Sequence, residues 1–255
     1  MSPLNLYLIL RSLWAGFFIS VVTFLELPFG GIDRPGMNRR LYGWAKRVLD
    51  LAQVNLQVEG LENLNMVPGE RYVVMCNHAS YYDIPLSMQV FKDHCSIRMI
   101  AKKELFAIPV WGPAMSRAEF VFIDREDRHQ AAKDIERAKG LMETGLVFWI
   151  APEGTRSPDG RLGLFKTGGV KLAMDMGAKI IPLGLEGAFE VMHKGSVKIH
   201  RGKTVVARVG TPISTENLPK NQRKQLTAQV REVIRSLAHL PPDLPELGQE
   251  EGADA

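Results

Sequence analysis

Short, almost wholly apolar runs alternate with helical segments along most of this 255-residue chain, and this alternation most constrains its fold. The clearest run is YVVMC at 72–76, which is typical of a strand buried on both faces of a sheet. Further strands are predicted at 54–58, 96–101, 120–124, 146–150, 179–185 and 204–209, and helices at 36–52, from Asp83, and at 128–144, 171–176 and about 217–239. This order indicates an α/β fold: one domain over 31–240 with a largely parallel or mixed sheet flanked by helices.

The N-terminal segment departs from this globular pattern. Residues 12–25 (SLWAGFFISVVTFL) carry no charge, and about 20 apolar residues are needed to span a bilayer core as a helix. We therefore predict a helical membrane anchor over 1–30, in preference to a buried core helix. Whether residues 3–27 cross the bilayer or embed in one leaflet stays open. Five basic residues follow between Arg34 and Arg47, which predicts a body on the cytoplasmic side of the cell (inner) membrane.

The charge distribution points to an anionic partner for the body of the chain. Residues 241–255 contain five acids and no base, so we predict an acidic, disordered tail. The remainder has 32 bases against 23 acids, a net charge of +9. Such a body suits phosphate, nucleic acid or a membrane surface, although solubility alone could account for the charge. The chain has two cysteines, which indicates no disulfide framework.

A histidine and a carboxylate stand five residues apart directly after the 72–76 strand, in the segment NHASYYD at 77–83. On one continuous helix the two side chains would diverge. In a strand–turn–helix, Asp83 at the helix start can accept a hydrogen bond from one imidazole nitrogen of His78. The other nitrogen then faces the cleft at the strand ends, where open α/β sheets bind ligands. This arrangement fits a general base held in one tautomer; the alternative is a capping Asp83 beside a surface histidine.

A second polar segment, APEGTRS at 151–157, follows the strand at 146–150. The planar fork of Arg156 suits a phosphate or carboxylate, Glu153 could hold that fork, and Gly154 permits a tight turn. Lys102 and Arg125 follow two other strands, and parallel strands would bring them to the same sheet edge. Each feature alone is equally consistent with a polar loop or solvated surface charge, so their convergence is what favours a site.

With these segments in order, the chain resembles the glycerolipid acyltransferases of the 1-acylglycerol-3-phosphate acyltransferase type. The match runs through NHASYYD at 77–83, FIDR at 122–125, PEGTR at 152–156 and IIPLG at 180–184, with AKKEL at 101–105, IPVWG at 108–112 and FKTGG at 165–169 between them. It implies a glycerolipid acyltransferase-like fold. It also implies transfer of a fatty acyl group from acyl-CoA or acyl-carrier protein to the sn-2 hydroxyl of lysophosphatidic acid, giving phosphatidic acid. Another lyso-lipid acceptor is the alternative.

The resemblance also implies roles for individual residues. His78 is expected to be the general base and Asp83 its orienting partner. Ile181 and Pro182 fall in the motif that is assigned to acyl-donor binding or to structure, and no metal, cofactor or covalent enzyme intermediate is expected. The residues expected to bind the acceptor phosphate are Lys102, Arg125, Glu153, Gly154, Thr155 and Arg156, with Lys103 as the competing choice at the first of these positions.

Two rival interpretations remain open. Cys76 lies two residues before His78 and could form an acyl-enzyme, although a buried strand cysteine is usually inert packing. A membrane lipid-binding protein without turnover would need the same anchor and the same positively charged body, but it would not need a general base. The predicted partners are a lysophospholipid, an acyl thioester, the bilayer and acyl-carrier protein, and we expect no nucleic-acid partner because the basic positions are not interleaved with exposed aromatic residues.

Overall fold

The computed structural model describes residues 2–124 and 127–242. Its α-helices are α1 (Pro3–Leu25), α2 (Arg34–Leu51), α3 (Asp83–Phe91), α4 (Trp111–Arg117), α5 (Arg128–Glu143), α6 (Thr167–Met176) and α7 (Arg223–Leu237). Its strands are β1 (Asn55–Glu59), β2 (Arg71–Cys76), β3 (Ser96–Lys102), β4 (Val121–Ile123), β5 (Leu146–Ile150), β6 (Ala178–Glu186) and β7 (Thr204–Val209).

The strands form one seven-stranded mixed sheet in the order β1-β7-β6-β2-β5-β3-β4. β6 and β7 are antiparallel, and the other neighbouring pairs are parallel. In the central parallel part, Met75 of β2 lies opposite Ile150 of β5, and Met99 of β3 lies opposite Trp149. The carboxyl ends of these three strands therefore meet at one edge, and the predicted α/β fold with a mixed sheet is confirmed.

The sheet separates two hydrophobic clusters because side chains alternate between its faces. From β2, Tyr72, Val74 and Cys76 pack with residues of α1, α2 and α3, whereas Val73 and Met75 pack with residues of α5, α6 and α7. The last four residues of β2 are fully buried. This double burial explains why β2 is apolar at almost every position.

α1 is a long apolar helix that lies along the body of the protein. Its most apolar window has a mean hydropathy of 1.9 and is 22% buried, so it is long and apolar enough to cross a membrane. At its start the side-chain oxygen of Asn5 accepts a hydrogen bond from the backbone N–H of Ile199 (3.0 Å). Near its end the Arg40 guanidinium donates to Thr23 (2.9 Å) and Glu26 (2.8 Å). The exposed face carries Leu6, Tyr7, Leu10, Leu13, Trp14, Phe17, Phe18 and Leu25.

Several element boundaries differ from the sequence predictions. α4 was not predicted because the Gly112-Pro113 pair suggests a helix breaker; Pro113 instead lies in the first turn of α4, where no intrahelical donor is needed. α6 begins at Thr167 rather than at 171, and α7 begins at Arg223 rather than near 217. Residues 243–255 of the predicted tail lie outside the described residues, and the domain boundaries at 30 and 240 stay predictions.

Candidate active site

The predicted histidine–aspartate pair forms at the carboxyl end of β2. His78 lies in the turn after the strand, and Asp83 is the first residue of α3. The Nδ1 atom of His78 is 2.7 Å from Oδ2 of Asp83. The side chain of His78 is 15% exposed and that of Asp83 is fully buried. Because a carboxylate accepts hydrogen bonds, Asp83 favours the neutral tautomer with the proton on Nδ1, in which Nε2 has the lone pair that a general base requires.

The Asp83 carboxylate is held rigidly by the turn that it closes. Its Oδ2 atom also accepts hydrogen bonds from the backbone N–H groups of Ala79 and Ser80, each at 2.8 Å. Its Oδ1 atom is buried and has no hydrogen-bond partner among the described residues. The orientation of the imidazole is therefore fixed by a carboxylate that cannot rotate without breaking two backbone hydrogen bonds.

The backbone of His78 is held from both sides by the 151–157 loop. Its N–H donates to Oε1 of Glu153 (2.6 Å), and its carbonyl accepts from the N–H of Ser157 (2.7 Å). Oε2 of Glu153 accepts from the N–H of Gly163 (2.8 Å). The expectation that Glu153 holds the Arg156 fork is therefore wrong: both carboxylate oxygens are engaged by backbone amides. Burial raises the pKa of Glu153 above its usual value.

Two further residues that the sequence did not single out help to place His78. The side-chain amide of Asn77 exchanges two hydrogen bonds with the backbone of Leu185 on β6, at 3.0 Å and 2.8 Å. The indole of Trp149 on β5 meets the His78 ring edge to face, with ring centroids 5.6 Å apart. Asn77 directly precedes the histidine, which was the available signal. The contact with Trp149 depends on the pairing of β2 with β5.

His78 lines a cavity of about 1230 Å³ together with residues of the helices and of the sheet. Most of the side chains along it are apolar, and they come from several separate elements. Its lining includes Ile19, Leu41, Trp44, Ile84, Met88, Met99, Leu105, Trp111, Met115, Phe120, Ile135, Trp149 and Leu172. Such a space can hold a hydrocarbon chain whose reactive end lies at His78.

The predicted phosphate-binding residues divide into two groups. Lys102 and Gly154 line the cavity with His78. Lys103 is directed to Asp124 (2.7 Å), so the choice of Lys102 over Lys103 agrees with the geometry. Arg125 lies outside the described residues.

The other three predicted residues, Glu153, Thr155 and Arg156, are not among the cavity's lining residues in the described chain. The Thr155 hydroxyl accepts a hydrogen bond from Nζ of Lys194 (3.0 Å). The Arg156 guanidinium carbon lies 3.7 Å from the ring centroid of Tyr81, and its Nε is buried without a hydrogen-bond partner in the described part of the chain.

Ile181 and Pro182 are buried inside β6, where they lie opposite Val74 and Met75 of β2. This position fits the structural alternative for that motif. Cys76 is fully buried, and desolvation raises the pKa of its thiol well above the usual value. A thiol that resists ionisation is a poor nucleophile, which argues against the acyl-enzyme rival. In residues 2–124 and 127–242, no cluster of three or more metal-binding side chains occurs.

Comparison with known proteins places this arrangement in a family. The sequence matches the acyltransferase family over residues 55–186. This chain belongs to the acyltransferase family. The matched region begins at β1 and ends with β6, and it therefore contains every predicted site residue.

Relatives of this acyltransferase-family chain carry one common name. A chloroplastic 1-acyl-sn-glycerol-3-phosphate acyltransferase of Arabidopsis thaliana is 35% identical over 158 residues, which are 62% of this chain and 43% of the relative. The 1-acyl-sn-glycerol-3-phosphate acyltransferase of Saccharomyces cerevisiae is 30% identical over 182 residues (70% of this chain, 58% of the relative). The alpha form from Mus musculus is 31% identical over 179 residues (70% and 61%). The chain thus spans about half the length of the curated relatives it matches.

A solved structure supports the fold of this acyltransferase-family member. The crystal structure of the 1-acyl-sn-glycerophosphate (LPA) acyltransferase PlsC from Thermotoga maritima matches with a TM-score of 0.68 and 24% identity. The match covers 92% of this chain and 97% of that protein. Because it extends well beyond residues 55–186, the fold is shared over nearly the whole chain.

Proposed function

We propose that this protein transfers a fatty acyl group from an acyl thioester, of coenzyme A or of acyl-carrier protein, to the sn-2 hydroxyl of lysophosphatidic acid. The product is phosphatidic acid, a precursor in phospholipid biosynthesis. The names of the relatives support this acceptor. So do the motifs at 77–83 and 152–156, which face each other across the hydrogen bonds to the backbone of His78.

One observation carries the proposal: His78, which is 2.7 Å from Asp83, lines a large, mostly apolar cavity that Lys102 also lines. Acyl transfer to an alcohol needs a base because a hydroxyl is a poor nucleophile near neutral pH. The acyl chain needs apolar space, and a phosphate-bearing acceptor needs a cation close to the base. This part of the molecule supplies all three.

The reaction then proceeds without a covalent enzyme intermediate. Nε2 of His78 removes the proton of the acceptor hydroxyl as its oxygen attacks the thioester carbonyl carbon, and the carbon–oxygen bond forms. The Asp83 carboxylate stabilises the resulting imidazolium through Nδ1. When the tetrahedral species collapses, the carbon–sulfur bond breaks and the imidazolium returns the proton to the leaving thiolate. The products are the acylated lipid and a free thiol.

The contacts of α1 favour an anchor that lies in one leaflet. The basic residues between Arg34 and Arg47 support our proposal that this is the cell (inner) membrane, with the body on the cytoplasmic side. A helix of 23 residues is about 34 Å long, which is enough to span the bilayer core. However, α1 is hydrogen-bonded to the body near both ends, through Asn5 and Glu26. A helix tied to one domain at both ends lies along the membrane surface, with its aromatic face in the lipid.

Gly16, Ile19 and Ser20 of α1 line the same cavity as His78. Lipid substrates that partition into the leaflet would therefore reach the base beside this helix. Membrane position can be measured with single cysteines at Ser2 and Pro28, which are exposed and lie just outside the two ends of α1. A membrane-impermeant thiol reagent should label both from the same side of sealed vesicles, and labelling from opposite sides would refute the single-leaflet arrangement.

The catalytic proposal is tested with the full chain in phospholipid vesicles supplied with acyl-CoA and lysophosphatidic acid. We expect thiol release that depends on the lysolipid, together with phosphatidic acid detected by mass spectrometry. His78→Ala should retain less than about 1% of the turnover. His94→Ala, a matched change at an exposed histidine, should keep full activity. A lipid-binding protein without turnover would release no thiol, and that result would refute the proposal.

A further inference from the structure

We propose that Lys166 binds the phosphate of the acyl acceptor together with Lys102. This inference rests on the proposed function and concerns a residue to which the motif analysis gave no role. Lys166 falls in the FKTGG segment at 165–169, immediately before α6.

The position of Lys166 is fixed by the loop that holds His78. Its backbone N–H donates to the carbonyl of Pro152 (2.9 Å), which precedes Glu153. Its side chain passes over Gly154, because a Cβ placed at that glycine would lie 3.3 Å from the Lys166 Nζ. Gly154 therefore provides more than a turn with a φ of +73°: it leaves room for the ammonium group. Lys166, Gly154, Lys102 and His78 all line one cavity.

The charges around the cavity single out the same two lysines. Lys171 also lines the cavity, but it forms an ion pair with Asp175 one turn further along α6. Among the described residues, no carboxylate forms an ion pair or a hydrogen bond with the side chain of Lys102 or of Lys166. Two ammonium groups on one cavity, with no counter-ion in the described part of the chain, make the cavity attractive to an anion.

The chemistry of the acceptor explains why this anion is its phosphate. In lysophosphatidic acid the phosphate is on the carbon next to the one that bears the sn-2 hydroxyl. When that hydroxyl lies at Nε2 of His78, the phosphate must lie close by, at the polar end of the cavity, while the acyl chains occupy its apolar part. Lysine is a common phosphate ligand that acts as a point charge. Lys102 approaches from the end of β3, and Lys166 from the start of α6.

The test compares Lys166→Gln with Lys139→Gln, using the full chain in vesicles. Lys139 is a matched lysine on α5 that is not part of the cavity lining and whose charge is paired with Glu136. Steady-state constants are measured for lysophosphatidic acid and, separately, for acyl-CoA. We expect Lys166→Gln to raise the KM for lysophosphatidic acid by about tenfold or more, as for the loss of one hydrogen bond to a charged group. The KM for acyl-CoA should change by less than about twofold, Lys166→Arg should restore most of the loss, and Lys139→Gln should resemble the unmodified chain.

The inference is overturned if Lys166→Gln leaves the KM for lysophosphatidic acid unchanged, if the KM for acyl-CoA rises by as much, or if Lys139→Gln has an equal effect. These outcomes are distinct from failure of the proposed function itself, in which the unmodified chain would form no phosphatidic acid. Thermal unfolding of each variant separates a binding defect from loss of fold. Lys166 is exposed, so its substitution should leave the unfolding temperature unchanged.

Discussion

Asp83→Asn isolates the charge of the aspartate from its geometry. In the folded chain Oδ2 accepts hydrogen bonds from His78 Nδ1 at 2.7 Å and from the backbone N–H groups of Ala79 and Ser80 at 2.8 Å. Those two amides require an oxygen at this position, so the asparagine oxygen replaces Oδ2 and its NH₂ group replaces the unpartnered Oδ1. The imidazole therefore keeps its tautomer and orientation, and only the negative charge is lost.

In the proposed reaction the cost of losing this charge falls on the transition state, where His78 becomes an imidazolium. Two unit charges at the 2.7 Å separation of Nδ1 and Oδ2 interact by about 6 kcal/mol at an effective dielectric constant of ~20. Each 1.36 kcal/mol is about tenfold in rate, so about 10⁴-fold is the upper limit. The hydrogen bond that asparagine retains contributes about 1 kcal/mol. We therefore expect kcat to fall by about 10³- to 10⁴-fold.

The assay is thiol release from acyl-CoA that depends on lysophosphatidic acid. Asp93→Asn is the matched control, because Asp93 follows α3 with its side chain 79% exposed, and it should keep full activity. The Asp83→Asn chain should unfold within about 5 °C of the unmodified chain, since one unpartnered buried atom replaces another. A folded Asp83→Asn protein that retains more than about a tenth of kcat would refute the assigned electrostatic role.

Other substitutions test the remaining contacts of the site. Glu153→Gln leaves one of the backbone N–H groups of His78 and Gly163 without an acceptor. It should lower the free energy of unfolding by about 1–3 kcal/mol and reduce kcat. An unchanged denaturation midpoint together with full activity would contradict this prediction. The role that the resemblance implies for Arg156 predicts that Arg156→Ala weakens phosphate-bearing acceptors selectively; equal loss with a phosphate-free lyso-lipid would exclude it. Burial raises the pKa of the Cys76 thiol, which keeps it protonated at mildly alkaline pH. Iodoacetamide should therefore leave Cys76 unmodified in the native chain by mass spectrometry and alkylate it in guanidinium, and native alkylation would show that the thiol is accessible.

The parts of the fold that local sequence determines were predictable. The apolar run of β2 requires burial on both faces, and the turn after it places a histidine and an aspartate where they can meet. Their spacing predicted a hydrogen bond between the two side chains, and the structure has it with a length of 2.7 Å. The helical start of α4 was missed because Pro113 suggests a break, although a proline in the first turn costs no hydrogen bond.

The environment of Glu153 could not be predicted from its neighbours in sequence. One of its oxygens binds an amide 75 residues away, and the other an amide 10 residues away. Both contacts depend on how β2, β5 and the loop after β5 come together. The motif therefore indicated a carboxylate with a structural role at position 153. The partners of this carboxylate are two backbone amides, and the expected ion pair with Arg156 does not describe them.

The contribution of α1 to the cavity wall affects how the protein can be studied. Gly16, Ile19 and Ser20 line the space that ends at His78. Truncating the chain after this helix to obtain a detergent-free preparation would open that wall to water, and the remaining catalytic pair would face solvent in place of lipid. The helix α1 thus serves both to anchor the protein and to complete the cavity. Replacing it with a different membrane tether attached to residues 34–242 should therefore fail to restore full activity.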